Sequence, residues 1–105
     1  MLLSVIMSVF NAEKYIEEAI QSVLNQTYNN FEFIIINDGS EDNSLKTIKK
    51  FLSKDDRIIL IDRENKGLVA SLNEGILKSR GDFIARMDAD DVCLPNRFEE
   101  QLNFM

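Results

Sequence analysis

Phe31-Glu32-Phe33-Ile34-Ile35-Ile36-Asn37-Asp38-Gly39-Ser40 is the stretch that decides the architecture of this chain. Its first six residues are almost all β-branched or aromatic, with no helical spacing. Such a run suits a strand. It stops at Asn-Asp-Gly-Ser, four residues that favour turns. A strand this apolar needs covering layers, so the question is what flanks it.

On the N-terminal side, Leu3 to Phe10 form another short apolar run, as in a strand covered on both faces. Tyr15, Ile16, Ala19, Ile20, Val23 and Leu24 then recur at helical spacing, with Asn11 as the expected N-cap and Glu13 in the first turn. Asn25 to Asn30 is polar and turn-like. On the C-terminal side, Leu45, Ile48, Phe51 and Leu52 mark a second helix, and Ile58 to Ile61 a third strand. Asp62 to Gly67 reads as a loop. Leu68, Leu72, Ile76 and Leu77 mark a third helix, with Gly81 as its expected stop. Phe83 to Met87 is a fourth strand. Pro95 is placed to open a last helix carrying Phe98, Leu102 and Met105 on one face. Strands and helices alternate throughout. The fold class is therefore α/β, a mainly parallel sheet with helices on both faces.

The chain has 105 residues, is 45% hydrophobic and 29% charged, and carries a net charge of −6. That suits one globular unit over residues 1–105, with no repeat or linker. The acidic balance speaks against nucleic acid as a partner, which needs a cationic face. It leaves a nucleotide ligand open, because a bound divalent metal supplies positive charge locally. No histidine is present, which removes Ser-His and Cys-His catalysis. Cys93 is the single cysteine, so no internal disulfide forms, in keeping with a reducing compartment. Its simplest reading is a small buried residue. The last apolar stripe runs to Met105 with no element after it to bury it. It reads as part of a longer protein, with an apolar face able to support a homodimer.

In open α/β sheets, ligands bind at the carboxyl ends of the strands. Four polar loops fall there: Asn11; Asn37, Asp38 and Gly39; Glu64, Asn65, Lys66 and Gly67; and Asp88, Ala89, Asp90 and Asp91. Each alone reads as a turn or helix cap, but their convergence points to a site. The last loop sets three carboxylates within four residues. Two unit charges about 4 Å apart interact by roughly 4 kcal/mol at an effective dielectric of 20. A solvated cap for the following helix is one resolution. A hard cation, Mg²⁺ or Mn²⁺, bound by carboxylates and substrate phosphates, is the other. Lys66 fits either a phosphate contact or an exposed loop. For Phe10 and Tyr15, core packing is favoured over stacking on a base.

Three segments, SVIMSVFNAEKYIEEAIQSVLNQTY (4–28), FEFIIINDGSEDNS (31–44) and ENKGLVASLNEGILKSRGDFIARMDADD (64–91), together resemble the family 2 glycosyltransferases of the GT-A fold. The resemblance implies a Rossmann-type sandwich, truncated here to the N-terminal, nucleotide-diphosphate-sugar-binding part. It implies transfer of a sugar to a saccharide or lipid-linked acceptor hydroxyl, in bacterial surface polysaccharide synthesis, in the cytoplasm or at the inner face of the membrane. Carried onto this chain, the backbone around Val9 and Asn11 lines base and ribose, and Asp38 bonds the base, most often uracil. Lys66 lies near the nucleotide, Asp88 near the ribose or the metal's water shell. Asp90 ligates Mn²⁺ or Mg²⁺, and Asp91 supports that loop or points toward the donor sugar. The chain departs from the usual pattern at Ser8, Phe10 and Asn37, where proline, tyrosine and aspartate are common.

The implied metal assists the leaving diphosphate as a Lewis acid. The general base of an inverting transfer is implied beyond Met105, so residues 1–105 alone are expected to bind donor without turnover. Two rival enzyme or signalling readings and one bland one stand beside this. In an aspartate-nucleophile phosphohydrolase, Asp88 would attack phosphate and Asp90 act as acid/base. In a receiver-like domain, Asp62 would accept a phosphoryl group. The bland reading is a non-catalytic α/β interaction module.

Overall fold

The structure, a computed structural model, describes residues 1–103. Its elements run β1 (Leu3–Val9), α1 (Ile16–Leu24), β2 (Phe31–Asp38), α2 (Ser44–Leu52), β3 (Ile58–Arg63), α3 (Leu68–Lys78), β4 (Phe83–Asp88) and α4 (Arg97–Asn103). The four strands form one sheet in the order β3-β2-β1-β4, and every pairing is parallel.

Topology follows from handedness. Crossovers between parallel strands are almost always right-handed. The chain steps from β1 to β2 to β3 in one direction, which puts α1 and α2 on the same face. It then turns back over β1 to add β4, which puts α3 on the opposite face. The two cores match this. Val5, Met7, Val9, Phe33 and Ile35 point to the α1/α2 side with Ile16, Ala19, Ile20 and Ile48. Ile6, Ile34 and Ile36 point to the α3 side and meet Leu72. Alternation along the strands thus fills both faces, as the unbroken apolar runs require.

The last helix corrects an expectation. Its apolar face is not left open at Phe98, which is fully buried and meets Phe31 edge-on at 6.0 Å. Polar rungs seat it as well. Gln26, itself buried, donates to the Leu94 carbonyl at 2.7 Å and accepts the Phe98 N–H at 3.1 Å. The proposed dimer surface on α4 therefore loses its central residue; Met105 lies outside the described residues. Pro95 sits in a turn ahead of the helix, which opens at Arg97.

Two local readings also change. Gly81 does not stop α3, whose C-cap is Ser79. It lies where β1 passes close: a Cβ there would stand 2.5 Å from Ser4 Oγ and 2.7 Å from the Ser4 nitrogen. Asn11 does not cap α1, which begins behind Tyr15 without a side-chain cap. Asn11 instead takes a left-handed conformation, φ 49°. Asparagine tolerates that region better than most side chains.

Candidate functional site

A cleft of about 460 Å³ opens at the carboxyl edge of the sheet, and all four strand-end loops contribute to it. Ser8, Phe10, Asn11 and Tyr15 come from the first, Asp38 from the second, Asn65 and Gly67 from the third, and Asp88 and Asp90 from the fourth. The sheet order explains its place. Strand direction of growth reverses between β1 and β4, the switch point at which the flanking loops diverge and leave a crevice. Register brings Ser8 of β1 beside Asp88 of β4.

One wall is organised around Asp38. Its Oδ1 accepts the Lys66 backbone N–H at 2.8 Å and Arg63 Nη2 at 3.0 Å, and its Oδ2 accepts the Gly67 N–H at 3.0 Å. Arg63 also donates to Ser71 Oγ and pairs with Glu74 at 3.4 Å. Burial works against the Asp38 charge, but the Lys66 N–H, the Arg63 guanidinium and the Gly67 N–H outweigh it and hold the carboxyl below the usual range. The third loop is thereby tied to the end of β2. Asn65 adds a bond to the Asp38 carbonyl at 3.1 Å. The two loops pass so closely that a Cβ on Gly39, φ 73°, would lie 2.6 Å from the Asn65 nitrogen.

The other wall is aromatic. Phe10 and Tyr15 line the cleft and are 51% and 56% exposed, so the expectation of core packing is wrong for both. The cause is the left-handed turn at Asn11. It takes the chain out of the sheet at Phe10, and α1 starts too late to bury Tyr15.

The acidic end is formed by Asp88, the last residue of β4, and by Asp90 and Asp91 in the turn that follows. Their carboxylates offer oxygen atoms that all lie within 4.8 Å of one another, and all three residues are exposed. The Asp91 N–H closes the turn on the Asp88 carbonyl at 3.1 Å. An all-oxygen set with this spacing fits a hard divalent cation.

The remaining expected positions are distributed as follows. Asn11, Asp38, Asp88 and Asp90 line one cleft. Val9 is fully buried in the core and does not line the cleft. Lys66 is exposed and touches the site through its backbone N–H on Asp38. Asp91 belongs to the acidic group without lining the cleft. Leu68, one of the apolar residues that mark α3 in the sequence, was not expected at the site; it is exposed and lines the cleft. Asp62 is exposed and accepts the Asn37 side-chain amide at 2.9 Å. Cys93 is buried, as expected.

The sequence profile described as Glycosyl transferase family 2 matches residues 4–105. An "Uncharacterized glycosyltransferase" of Haemophilus influenzae is 44% identical over 105 residues, covering 99% of this chain and 42% of its own length. One of Methanocaldococcus jannaschii is 44% identical over 107 residues, covering 99% of this chain and 37% of its own. This chain thus spans less than half the length of these relatives. Among solved structures, S. aureus TarS 1-349 superposes with a TM-score of 0.89 at 27% identity, over 99% of this chain and 32% of that one. The same protein in complex with UDP-GlcNAc gives 0.85 at 25% identity, over 99% and 31%. A mannosyltransferase of Pyrobaculum calidifontis, solved with GDP-Man and Mn²⁺, shares the fold with a TM-score of 0.80 at 21% identity, over 86% and 28%.

Proposed function

This chain belongs to glycosyl transferase family 2, and we propose on that premise that it binds the nucleotide-diphosphate-sugar donor of a sugar transfer to an acceptor hydroxyl. The observation that carries the reading is the single cleft shared by four strand-end loops, with an aromatic wall and an acidic end. A nucleoside diphosphate has the matching parts: a flat base and a charged phosphate end.

In this reading the base lies against Phe10, whose exposed ring gains contact on binding. Asp38 keeps one lone pair on Oδ2 after its three bonds. That acceptor faces a ring N–H such as the imide of uracil. The UDP-GlcNAc complex of TarS supports UDP as the first nucleotide to test. Asn11 shapes the ribose wall. Asp88 and Asp90 would hold Mn²⁺ or Mg²⁺, with Asp91 as the third carboxylate of the group. When bound, the metal neutralises charge on the leaving diphosphate. The acidic cluster alone would repel that diphosphate, so the cation also makes the two compatible.

The chain then serves as the donor-side part of a longer enzyme. Its acceptor is a saccharide or lipid-linked saccharide of a bacterial surface polymer, a finer reading that rests on family resemblance. A cytoplasmic setting suits the lone, buried Cys93. The phosphohydrolase and receiver readings give way to the family match. Calorimetric titration with UDP, GDP and CDP, each with and without Mn²⁺, tests the proposal. Absence of nucleotide binding in every arm would overturn it.

A further inference from the structure

The aromatic wall stands on a loop that α1 holds at one carbonyl, that of Ala12, which accepts the Tyr15 and Ile16 N–H groups at 2.9 Å. Three successive backbone N–H groups, those of Asn11, Ala12 and Glu13, all donate to side chains of the β2–α2 loop and of the first residue of α2. Asn11 donates to Ser40 Oγ at 3.0 Å, Ala12 to Ser44 Oγ at 2.9 Å, and Glu13 to Asp42 Oδ2 at 3.1 Å. A bond returns from the Glu41 N–H to Asn11 Oδ1 at 2.8 Å. Asp42 has a double task. Its Oδ1 accepts the Ser44 N–H at 2.9 Å and so shapes the start of α2, while its Oδ2 reaches across to Glu13.

Successive N–H groups around a left-handed residue make a concavity that would otherwise take an anion. Here the chain fills it from within. Ser40, Asp42 and Ser44 do not line the cleft, but Phe10, Asn11 and Ala12, the residues next to or inside the stapled loop, do.

We infer that Asp42 is a positioning residue for the nucleotide site: it holds the Asn11–Glu13 loop and thereby sets the wall on which the base rests. The inference depends on the donor-site reading above. Ionisation strengthens the staple. Burial opposes the charge on Asp42, but hydrogen bonds from Ser44 and Glu13 prevail and keep its carboxyl below the usual range. Left to itself, Asn11 in a left-handed conformation gives no reason for the chain to remain there.

The test compares wild type, Asp42→Ala and Asp42→Asn in the intact protein. It reads hydrogen exchange at the Glu13 amide, UDP affinity with Mn²⁺ by calorimetry, and the melting temperature. Asp42→Ala should speed Glu13 exchange and weaken UDP binding, each by about tenfold, the range of one charged hydrogen bond. Asp42→Asn keeps only one of the two acceptor oxygens and loses the charge, so it should bind UDP more weakly than wild type. Should Asp42→Ala not fold, Ser40→Ala applies the same reading to the Asn11 amide. Faster exchange with UDP affinity within twofold of wild type would overturn the positioning role. So would an Asp42→Ala that folds and leaves Glu13 exchange as in wild type. A wild type that binds no nucleotide would instead contradict the donor-site reading itself.

Discussion

Arg63 Nη2 lies 3.0 Å from Asp38 Oδ1, and both side chains are nearly out of solvent, at 11% and 4% exposure. Breaking a buried pair leaves one charge without its partner, which typically costs about 3–5 kcal/mol. Arg63→Met should therefore lower the unfolding free energy by about that amount. Denaturant unfolding of the variant checks it, and a change within experimental scatter would show the pair to be dispensable.

The same pair sets an acid limb. The folded Asp38 carboxyl titrates below its unfolded value, so its contribution to stability is complete above the unfolded value, about pH 3.9. It is lost as pH falls through the folded value. Asp38→Asn should be less stable than wild type at neutral pH, and the gap should narrow below about pH 4. Melting temperatures across pH 2–7 read this directly; a gap that stays constant would contradict the cause assigned here.

Gly39 is where the second and third loops cross. Alanine there meets both a positive φ and the Asn65 backbone at 2.6 Å. Gly39→Ala should destabilise by at least about 1–2 kcal/mol from the backbone conformation alone. It should also weaken nucleotide binding, because Asn65 must move. Thermal unfolding and titration on one sample measure both effects.

Phe10 and Phe98 make a matched contrast, one ring exposed in the cleft and one buried on the inner face of α4. Phe98→Ala should cost about 3–5 kcal/mol of stability. Phe10→Ala should change the melting temperature little and reduce UDP affinity by about 1–3 kcal/mol, the usual value of base stacking on an aromatic ring. Equal effects on stability would show that Phe10 is structural.

The alternation of strand and helix was legible because period 2 and period 3.6 leave different apolar patterns, and Ile16, Ala19, Ile20 and Val23 all fall on the buried side of α1. The acidic cluster and Asp38 stood out for the same local reason, since carboxylates after an apolar strand are visible by eye. Features set by distant partners were not. The position of β4 beside β1 depends on crossover handedness, and no single segment encodes it. Phe10 and Tyr15 read as core because apolar content does not reveal the left-handed turn at Asn11. That turn rests on Ser40 and Glu41, about thirty residues on in sequence. Gly81 resembled a helix stop because its real constraint, the approach of Ser4, is equally remote.

A divalent cation held by the acids at the end of β4 would in turn hold a diphosphate. Calorimetric titration of UDP into wild type and Asp90→Asn, with and without Mn²⁺, tests it most directly. Mn²⁺ should strengthen UDP binding to wild type by tenfold or more, roughly the worth of one charge-assisted contact. Asp90→Asn should remove that gain and, with one repelling charge fewer, leave metal-free binding no weaker than in wild type. An Asp90→Asn protein in which Mn²⁺ still strengthens UDP binding as much as in wild type would contradict it.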